Sequence, residues 1–202
     1  MSASDYAIAT IKMEHRSLGT VLQTLQDLLK KIAAGHAVVD FGLLSVALFY
    51  VDDFSERYHH PKEEEYLFKR MRLRGADFDL MLDRLQTAHS RSAQMVADMN
   101  RRLVRYQAGA SDGLQDFRQA VDSYANDMLA HFLQEDELLA NARSWLTEDD
   151  WTLIARAFAA NDDPLFGSNL RMEFTQLYHR IILLAPRRMK PELRGGGIPP
   201  PP

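Results

Sequence analysis

The sequence predicts an all-α protein: an antiparallel four-helix bundle followed by additional short C-terminal helices. Apolar residues recur in steps of three and four over long segments, which is the pattern of one buried helix face. Glycine and proline are sparse and fall between these segments, near Gly35, Gly75, Gly109 and Pro164. No segment shows the alternation and turn residues of a β-hairpin. Long helices joined by short connections are typical of helix bundles.

The four long segments differ in regularity. An apolar face runs from Ile8 to Leu29 in the first segment, from Phe78 to Leu103 in the third and from Phe117 to Leu138 in the fourth. The second segment, roughly residues 39–73, is less regular, although Leu48 and His59 are about three helical turns apart and share a face. Each segment is long enough to contribute one helix of the bundle.

The chain after the fourth segment predicts two shorter helices. Thr-Glu-Asp-Asp, starting at Thr147, is a capping signature for the first, and the second is expected over about residues 169–184. Its apolar stripe has two interpretations, packing on the bundle, which we favour, or the surface of a homodimer. We therefore expect three regions: a bundle over residues 1–145, a helical extension packed on it over residues 146–190, and a disordered Gly/Pro tail over residues 191–202.

Composition excludes several classes of function. The net charge of −4 argues against a nucleic-acid-binding protein, which would carry a basic excess. Because the chain has no cysteine, it has no disulfides, thiolate metal sites or cysteine nucleophile. The longest apolar run, residues 41–51, is shorter than the about 20 residues that a membrane crossing takes. With no secretory signal at the N-terminus, we expect a cytoplasmic protein that binds neither membranes nor nucleic acids.

Histidines interrupt the apolar faces at comparable depth in all four segments. A single histidine on such a face is more often a hydrogen-bonded core residue than a ligand. Here, however, two of the histidines have a glutamate four residues later, on the same helix face. A buried glutamate is costly unless it is paired, protonated or bound to metal. The recurring residues are His15, His59 with Glu63, His89, and His131 with Glu135.

These residues predict a metal site with room for two ions. The order of histidines and glutamates repeats in the two halves of the bundle, so four imidazoles and two carboxylates would meet at one point. Mixed nitrogen and oxygen ligation suits iron or manganese, and zinc is an alternative. The carboxylates can bridge two metals while each imidazole binds one.

The stretch HHPKEEEYLF, residues 59–68, allows alternative interpretations. Pro61 followed by three glutamates is a good helix N-terminus, but the apolar segment before it has to continue, so we expect a bent helix distorted near the metal. His60 and Glu64 have the same four-residue spacing as His59 and Glu63. The phase with Leu48 favours His59 and Glu63, which leaves His60 beside the ligands or at the surface and Glu64 solvated.

The chain resembles the hemerythrin-like, or HHE cation-binding, family over about residues 5–143. The segments that carry the resemblance are MEH (13–15), HHPKEEEYLF (59–68), TAHS (87–90) and AHFLQEDELL (130–139). The resemblance implies a non-haem di-iron centre bound by His15, His59, Glu63, His89, His131 and Glu135, with both glutamates bridging. Oxygen-carrying hemerythrins have a further histidine where this chain has Ala93, so the resemblance implies a more open iron here.

We therefore expect two iron ions that react with O2, peroxide or nitric oxide in oxidative or nitrosative stress. The alternative is a non-catalytic oxygen or iron sensor, carrier or store with the same site, so whether the protein is an enzyme is left open. A metal-free interaction module ranks last, since six buried polar groups would lack partners. For Tyr58, Tyr66 and Tyr124 we expect core packing, with a hydrogen bond to an iron ligand as the alternative for one of them.

Overall fold

The computed structural model describes residues 2–160, 163–166 and 172–184, and within these ranges the chain is all-α with no strand. The predicted fold class is confirmed at this level. In the described part of the chain, six helices follow one another: α1 Ala3–Ala33, α2 over residues 41–74, α3 Asp79–Gln107, α4 Gly113–Trp145, α5 Glu148–Ala159 and α6 Thr175–Leu184, which follows a short 3-10 turn at Met172–Phe174.

Helix α2 contains two π-helical segments and does not end at either of them. It consists of α-helix Phe41–Tyr50, π-helix Val51–His59, α-helix His60–Lys62, π-helix Glu63–Phe68 and α-helix Lys69–Arg74. Pro61 has no backbone N–H to donate to the preceding turn. The backbone N–H of His60 donates to the carbonyl of Ser55, five residues earlier. The expected distortion around the proposed ligands is therefore present. The interpretation of Pro61 as the start of a new helix is wrong.

Polar side chains define the starts of three helices. Ser2 and Asp5 form a capping box on α1, Asp40 caps α2, and Thr147 and Asp150 form a capping box on α5. Each cap satisfies backbone N–H groups that the first turn leaves without partners. The helix start predicted at Thr147 is confirmed.

The apolar core divides into two clusters that lie at opposite ends of the long helices. The first cluster combines the C-terminal half of α1, the N-terminal part of α2, the C-terminal half of α3 and the N-terminal half of α4. The second cluster combines the opposite halves of the same helices. The middle of each helix, where the histidines lie, is therefore enclosed by apolar packing on both sides.

The two C-terminal helices pack on different clusters. Trp151, Ile154 and Phe158 of α5 lie in the second cluster. Phe174, Leu177 and Ile181 lie in the first cluster, so these three residues of the predicted stripe are buried within the chain. Residues 169–171, with which the last helix was predicted to begin, and the tail over residues 191–202 lie outside the described residues.

A glycine in the middle of α1 offers a direct test of the fold. A Cβ added at Gly19 would have no atom within 4 Å, and glycine is about 1 kcal/mol less favourable than alanine inside a helix. The Gly19→Ala variant should therefore unfold about 2–4 °C above the parent in a thermal melt.

The matched control is Gly109, which has a positive φ of 81° at the end of α3. Alanine is strained in that conformation, so Gly109→Ala should lower the melting temperature. A melting temperature lowered by Gly19→Ala would show that α1 does not have the described environment at this position.

Candidate metal centre

The structure brings together all six residues predicted as ligands. His15 lies on α1, His59 and Glu63 on α2, His89 on α3, and His131 and Glu135 on α4; all six are at most 6% exposed. They occupy the level between the two apolar clusters. The four long helices thus each contribute at least one side chain to a single buried polar site.

The first pair of histidines is His15 and His59. Their Nε2 atoms are 3.0 Å apart, and the ring planes are inclined by 78°. Glu63 Oε1 lies 3.2 Å from His59 Nε2 and 3.5 Å from His15 Nε2. Glu135 Oε2 lies 3.2 Å from His15 Nε2. Two imidazole nitrogens and two carboxylate oxygens therefore converge here.

His89 and His131 form a second pair with the same geometry. Their Nε2 atoms are 3.1 Å apart and the rings are inclined by 70°. The other oxygen of Glu63, Oε2, lies 3.5 Å from His89 Nε2. Glu135 contacts His131 through Oε2 at 3.2 Å and His89 through Oε1 at 3.6 Å. Each carboxylate therefore faces both histidine pairs.

These residues fit a metal centre on two observations. All four carboxylate oxygens of Glu63 and Glu135 are buried without a well-aligned hydrogen bond, which is costly unless another partner is present. Metal–ligand bonds of about 2.1 Å place neighbouring ligand atoms about 3 Å apart when they meet at right angles, and the two Nε2–Nε2 distances have this value. The site can therefore hold cations between the histidines and the shared carboxylates.

Two further carboxylates orient one histidine of each pair. The Nδ1–H of His59 donates to Glu14 at 2.6 Å, and that of His89 donates to Glu64 at 2.8 Å. Such contacts direct Nε2 toward a metal and increase the basicity of the ligand. Glu64 was expected to be solvated; it is about one-third exposed, but it binds His89.

Two other acidic residues that precede proposed ligands on the same helices pair with arginines. Asp52 pairs with Arg57 and Asp127 pairs with Arg91. The expectation of core packing holds for Tyr124, which is fully buried, and is wrong for Tyr58 and Tyr66, which are 49% and 36% exposed.

The contact between Glu64 and His89 can be tested without substituting a proposed metal ligand. Glu64→Gln should weaken metal binding by about 10–100-fold, because a neutral amide is a poorer acceptor for the His89 N–H. Equilibrium competition with a chelator would measure the affinity. Glu65→Gln is the matched control, since Glu65 is exposed and pairs with Lys69; equal effects in both variants would contradict the orienting role.

His60 is the residue that sequence reasoning left without a defined role. It is buried, and with Glu63, His89 and His131 it forms a group whose ligand-capable atoms lie within 4.8 Å of one another. Its ring, however, is stacked on His89, with centroids 4.0 Å apart and planes inclined by 12°. An imidazole lone pair lies in the ring plane, so two stacked parallel rings cannot point at one ion. The stacking therefore favours a role for His60 in covering His89 over a role in binding the same ion as His89.

The histidines and carboxylates of the site shift one another's pKa values in the metal-free protein. Burial alone would lower the pKa of His59 and His89, but the surrounding carboxylates outweigh it. They raise the pKa of His59 well above its usual value, mainly through Glu63 and Glu14, and that of His89 to about 9, mainly through Glu135 and Glu64. Burial and the Glu135 charge would raise the pKa of Glu63, yet His59 and His15 lower it to about 2.

Glu135 follows the same pattern as Glu63, whereas His60 differs from the other two histidines. The pKa of Glu135 would rise on burial, but His131, His15 and His89 hold it well below its usual value. Burial lowers the pKa of His60, and its contact with Glu56 only partly offsets this. Both shared carboxylates are therefore anionic, as metal ligands must be.

An all-helical fold with two buried histidine pairs that share two carboxylates defines a class: helical metal-binding proteins with a histidine–carboxylate centre. Residues 6–142 match the hemerythrin HHE cation binding domain, and the chain belongs to that family. This confirms the resemblance carried by the four sequence segments. Comparison with curated proteins and with solved structures gave no match. Among the described helices, none combines the length and apolar character that a membrane crossing requires.

Proposed function

We propose that this chain is a non-haem di-iron protein, built on an antiparallel four-helix bundle, that reacts with O2, peroxide or nitric oxide. The observation that carries the proposal is the pair of equivalent histidine groups joined by Glu63 and Glu135. The opposite core clusters support the bundle, because each cluster combines alternating halves of consecutive helices.

Each ion would be held by one histidine pair. His15 and His59 would bind the first ion, His89 and His131 would bind the second, and the two glutamates would bridge them. Two imidazoles and shared carboxylates are fewer ligands than the six of an octahedral ion. With His60 stacked on His89 and Ala93 in place of a further histidine, the site keeps room for a small ligand.

Bound iron would supply a redox-active centre with coordination positions for such a ligand. The chain's own residues would hold and protect it. Glu14 and Glu64 hold the imidazoles of His59 and His89 in orientation. The apolar clusters on both sides bury the ligands, and electrostatic interactions are stronger in such surroundings than in water.

The proposal is tested by loading the metal-free protein anaerobically with Fe²⁺, Mn²⁺ or Zn²⁺, desalting it and measuring metal per chain. About two iron ions per chain are expected. Repeated additions of hydrogen peroxide, O2 or nitric oxide to the iron-loaded protein would then be followed by absorption, with a reductant present.

Sustained consumption of one of these molecules would support an enzyme of oxidative or nitrosative defence. Stoichiometric binding without consumption would support the sensor, carrier or store instead. Absence of bound iron under anaerobic loading would overturn both.

A further inference from the structure

A cavity of about 270 Å³ lies between α3 and α4 beside the second histidine pair. His60, His89 and His131 line its buried part, and the exposed side chains of Arg84, Arg91 and Gln134 stand at its outer part. A single water needs roughly 10–15 Å³ of such volume. The cavity is thus many times larger than a diatomic molecule requires.

The buried part of this cavity carries polar side chains that the metal site does not use. Ser92 Oγ donates to Glu56 Oε1 at 2.5 Å and lies 3.2 Å from the Tyr124 hydroxyl. Both Ser92 and Tyr124 line the cavity and are buried. Both hydroxyls donate toward Glu56, so their oxygens are left as acceptors for a donor in the cavity.

His60, which also lines the cavity, makes only long hydrogen bonds. Its Nε2 is 3.4 Å from Ser55 Oγ, and its Nδ1 is 3.4 Å from Glu56 Oε2. Both distances exceed the 2.7–3.2 Å of a good hydrogen bond from nitrogen. Where His60 lines the cavity, its imidazole is therefore held only by long contacts.

The rest of the wall is apolar and adaptable. Met95 and Met128 line the cavity together with Ala88 and Ala130. Methionine side chains are flexible and fit ligands of irregular shape. At the outer part, Arg91 is paired with Asp127 at 2.9 Å. The carboxylate of Glu56 beside the polar end disfavours an anion there.

We propose that this cavity binds a small alkyl hydroperoxide, with its O–O–H end at Ser92, Tyr124 and His60 and its alkyl body against Met95 and Met128. A neutral molecule with one hydroxyl end matches the donors, acceptors and charge of the wall. As a substrate assignment this rests on the proposed function, since the polar end adjoins His89 and His131. The pocket itself exists without metal.

The test uses the full-length metal-free protein with ¹³C-methyl-labelled methionine and tert-butanol, an unreactive analogue of tert-butyl hydroperoxide. Saturable NMR shifts are expected for the methyl groups of Met95 and Met128 but not for those of Met71 and Met99, which are fully buried elsewhere. Non-saturable shifts, or equal shifts at all four methionines, would overturn the pocket.

Variants locate the polar end. Ser92→Ala and Tyr124→Phe should each weaken tert-butanol binding by about 2–10-fold, the value of one hydrogen bond. The controls are Ser90→Ala, since Ser90 is exposed and bonds only the Gln86 carbonyl among the contacts described, and Tyr66→Phe. Unchanged binding in both test variants would overturn the assignment of the polar end.

Acetate tests the charge preference, and it should bind at least about tenfold more weakly than tert-butanol because of Glu56. Equal or tighter binding of acetate would overturn the neutral hydroperoxide class. Since no metal is present in these measurements, their failure is separable from failure of the di-iron proposal.

Discussion

Glu63→Gln should reduce bound iron from about two ions per chain to well below one after desalting. Glu63, like Glu135, is expected to have a large effect because it contacts both histidine pairs: Oε1 faces His59 and His15, and Oε2 faces His89. An amide replaces one anionic oxygen by an NH2 group that cannot bind a cation. The substitution therefore weakens both metal positions at once, whereas loss of one histidine weakens one position.

Elemental analysis after anaerobic loading would measure this loss, with circular dichroism to show that the variant is folded. The matched control is Glu65→Gln, two residues away on the same helix. Its side chain is exposed and pairs with Lys69, so it should retain the iron content of the parent. Full iron content in a folded Glu63→Gln variant would contradict the shared role of this carboxylate.

The metal-free protein should lose stability as the pH rises from about 6.5 to 9. The pKa of His89 is raised to about 9, from a usual value of 6.5. A raised histidine pKa stabilises the fold fully below 6.5, and this contribution is lost as the pH rises through 9. For His89 the loss is on the order of 3 kcal/mol, and His59 adds to it in the same direction.

The buried carboxylates limit the stability of the metal-free protein at acidic pH. The pKa of Glu63 is lowered to about 2 from 4.5, so its contribution is present above pH 4.5 and is lost as the pH falls toward 2. We therefore expect the metal-free protein to be most stable between about pH 4.5 and 6.5.

Bound metal should counteract the loss of stability at alkaline pH. Ligand histidines bind metal in their neutral form, so metal binding strengthens as the pH rises. The difference in melting temperature between the loaded and the metal-free protein should therefore widen by roughly 5–10 °C between pH 6.5 and 9. Calorimetry of both forms would measure it.

His36→Gln is the control for these titrations, because His36 is exposed in the loop after α1. It should leave both pH profiles unchanged. Parallel profiles for the loaded and metal-free parent would contradict the assignment of the buried histidines as ligands.

Helix periodicity carried most of the fold prediction. The four long segments correspond to α1–α4 because each has an apolar face of sufficient length, and the glycines between them fall where the chain turns. Gly35 and Gly109 have positive φ values of 71° and 81°, a conformation that favours glycine. The histidines and glutamates on these faces were found for the same reason, since a polar residue in an apolar stripe is visible in the sequence alone.

The surroundings of the ligands depended on tertiary structure. His59 and His60 are adjacent, and an α-helix would turn only one of them inward at this position; the π-helical segments around Pro61 bury both. Glu14 lies on α1 and contacts His59 on α2, and Glu64 lies on α2 and contacts His89 on α3. No periodicity links them to His59 and His89.

By itself, the sequence therefore determined the all-α class, the long helices and the six residues that meet in the core. These follow from local propensity and from the cost of burying polar groups, both of which act along a single helix. Only the tertiary structure decided that His60 stacks on His89, that two carboxylates orient the ligands, and that a cavity lies beside the second pair. Those features arise from the packing of one helix against another, which sequence spacing does not record.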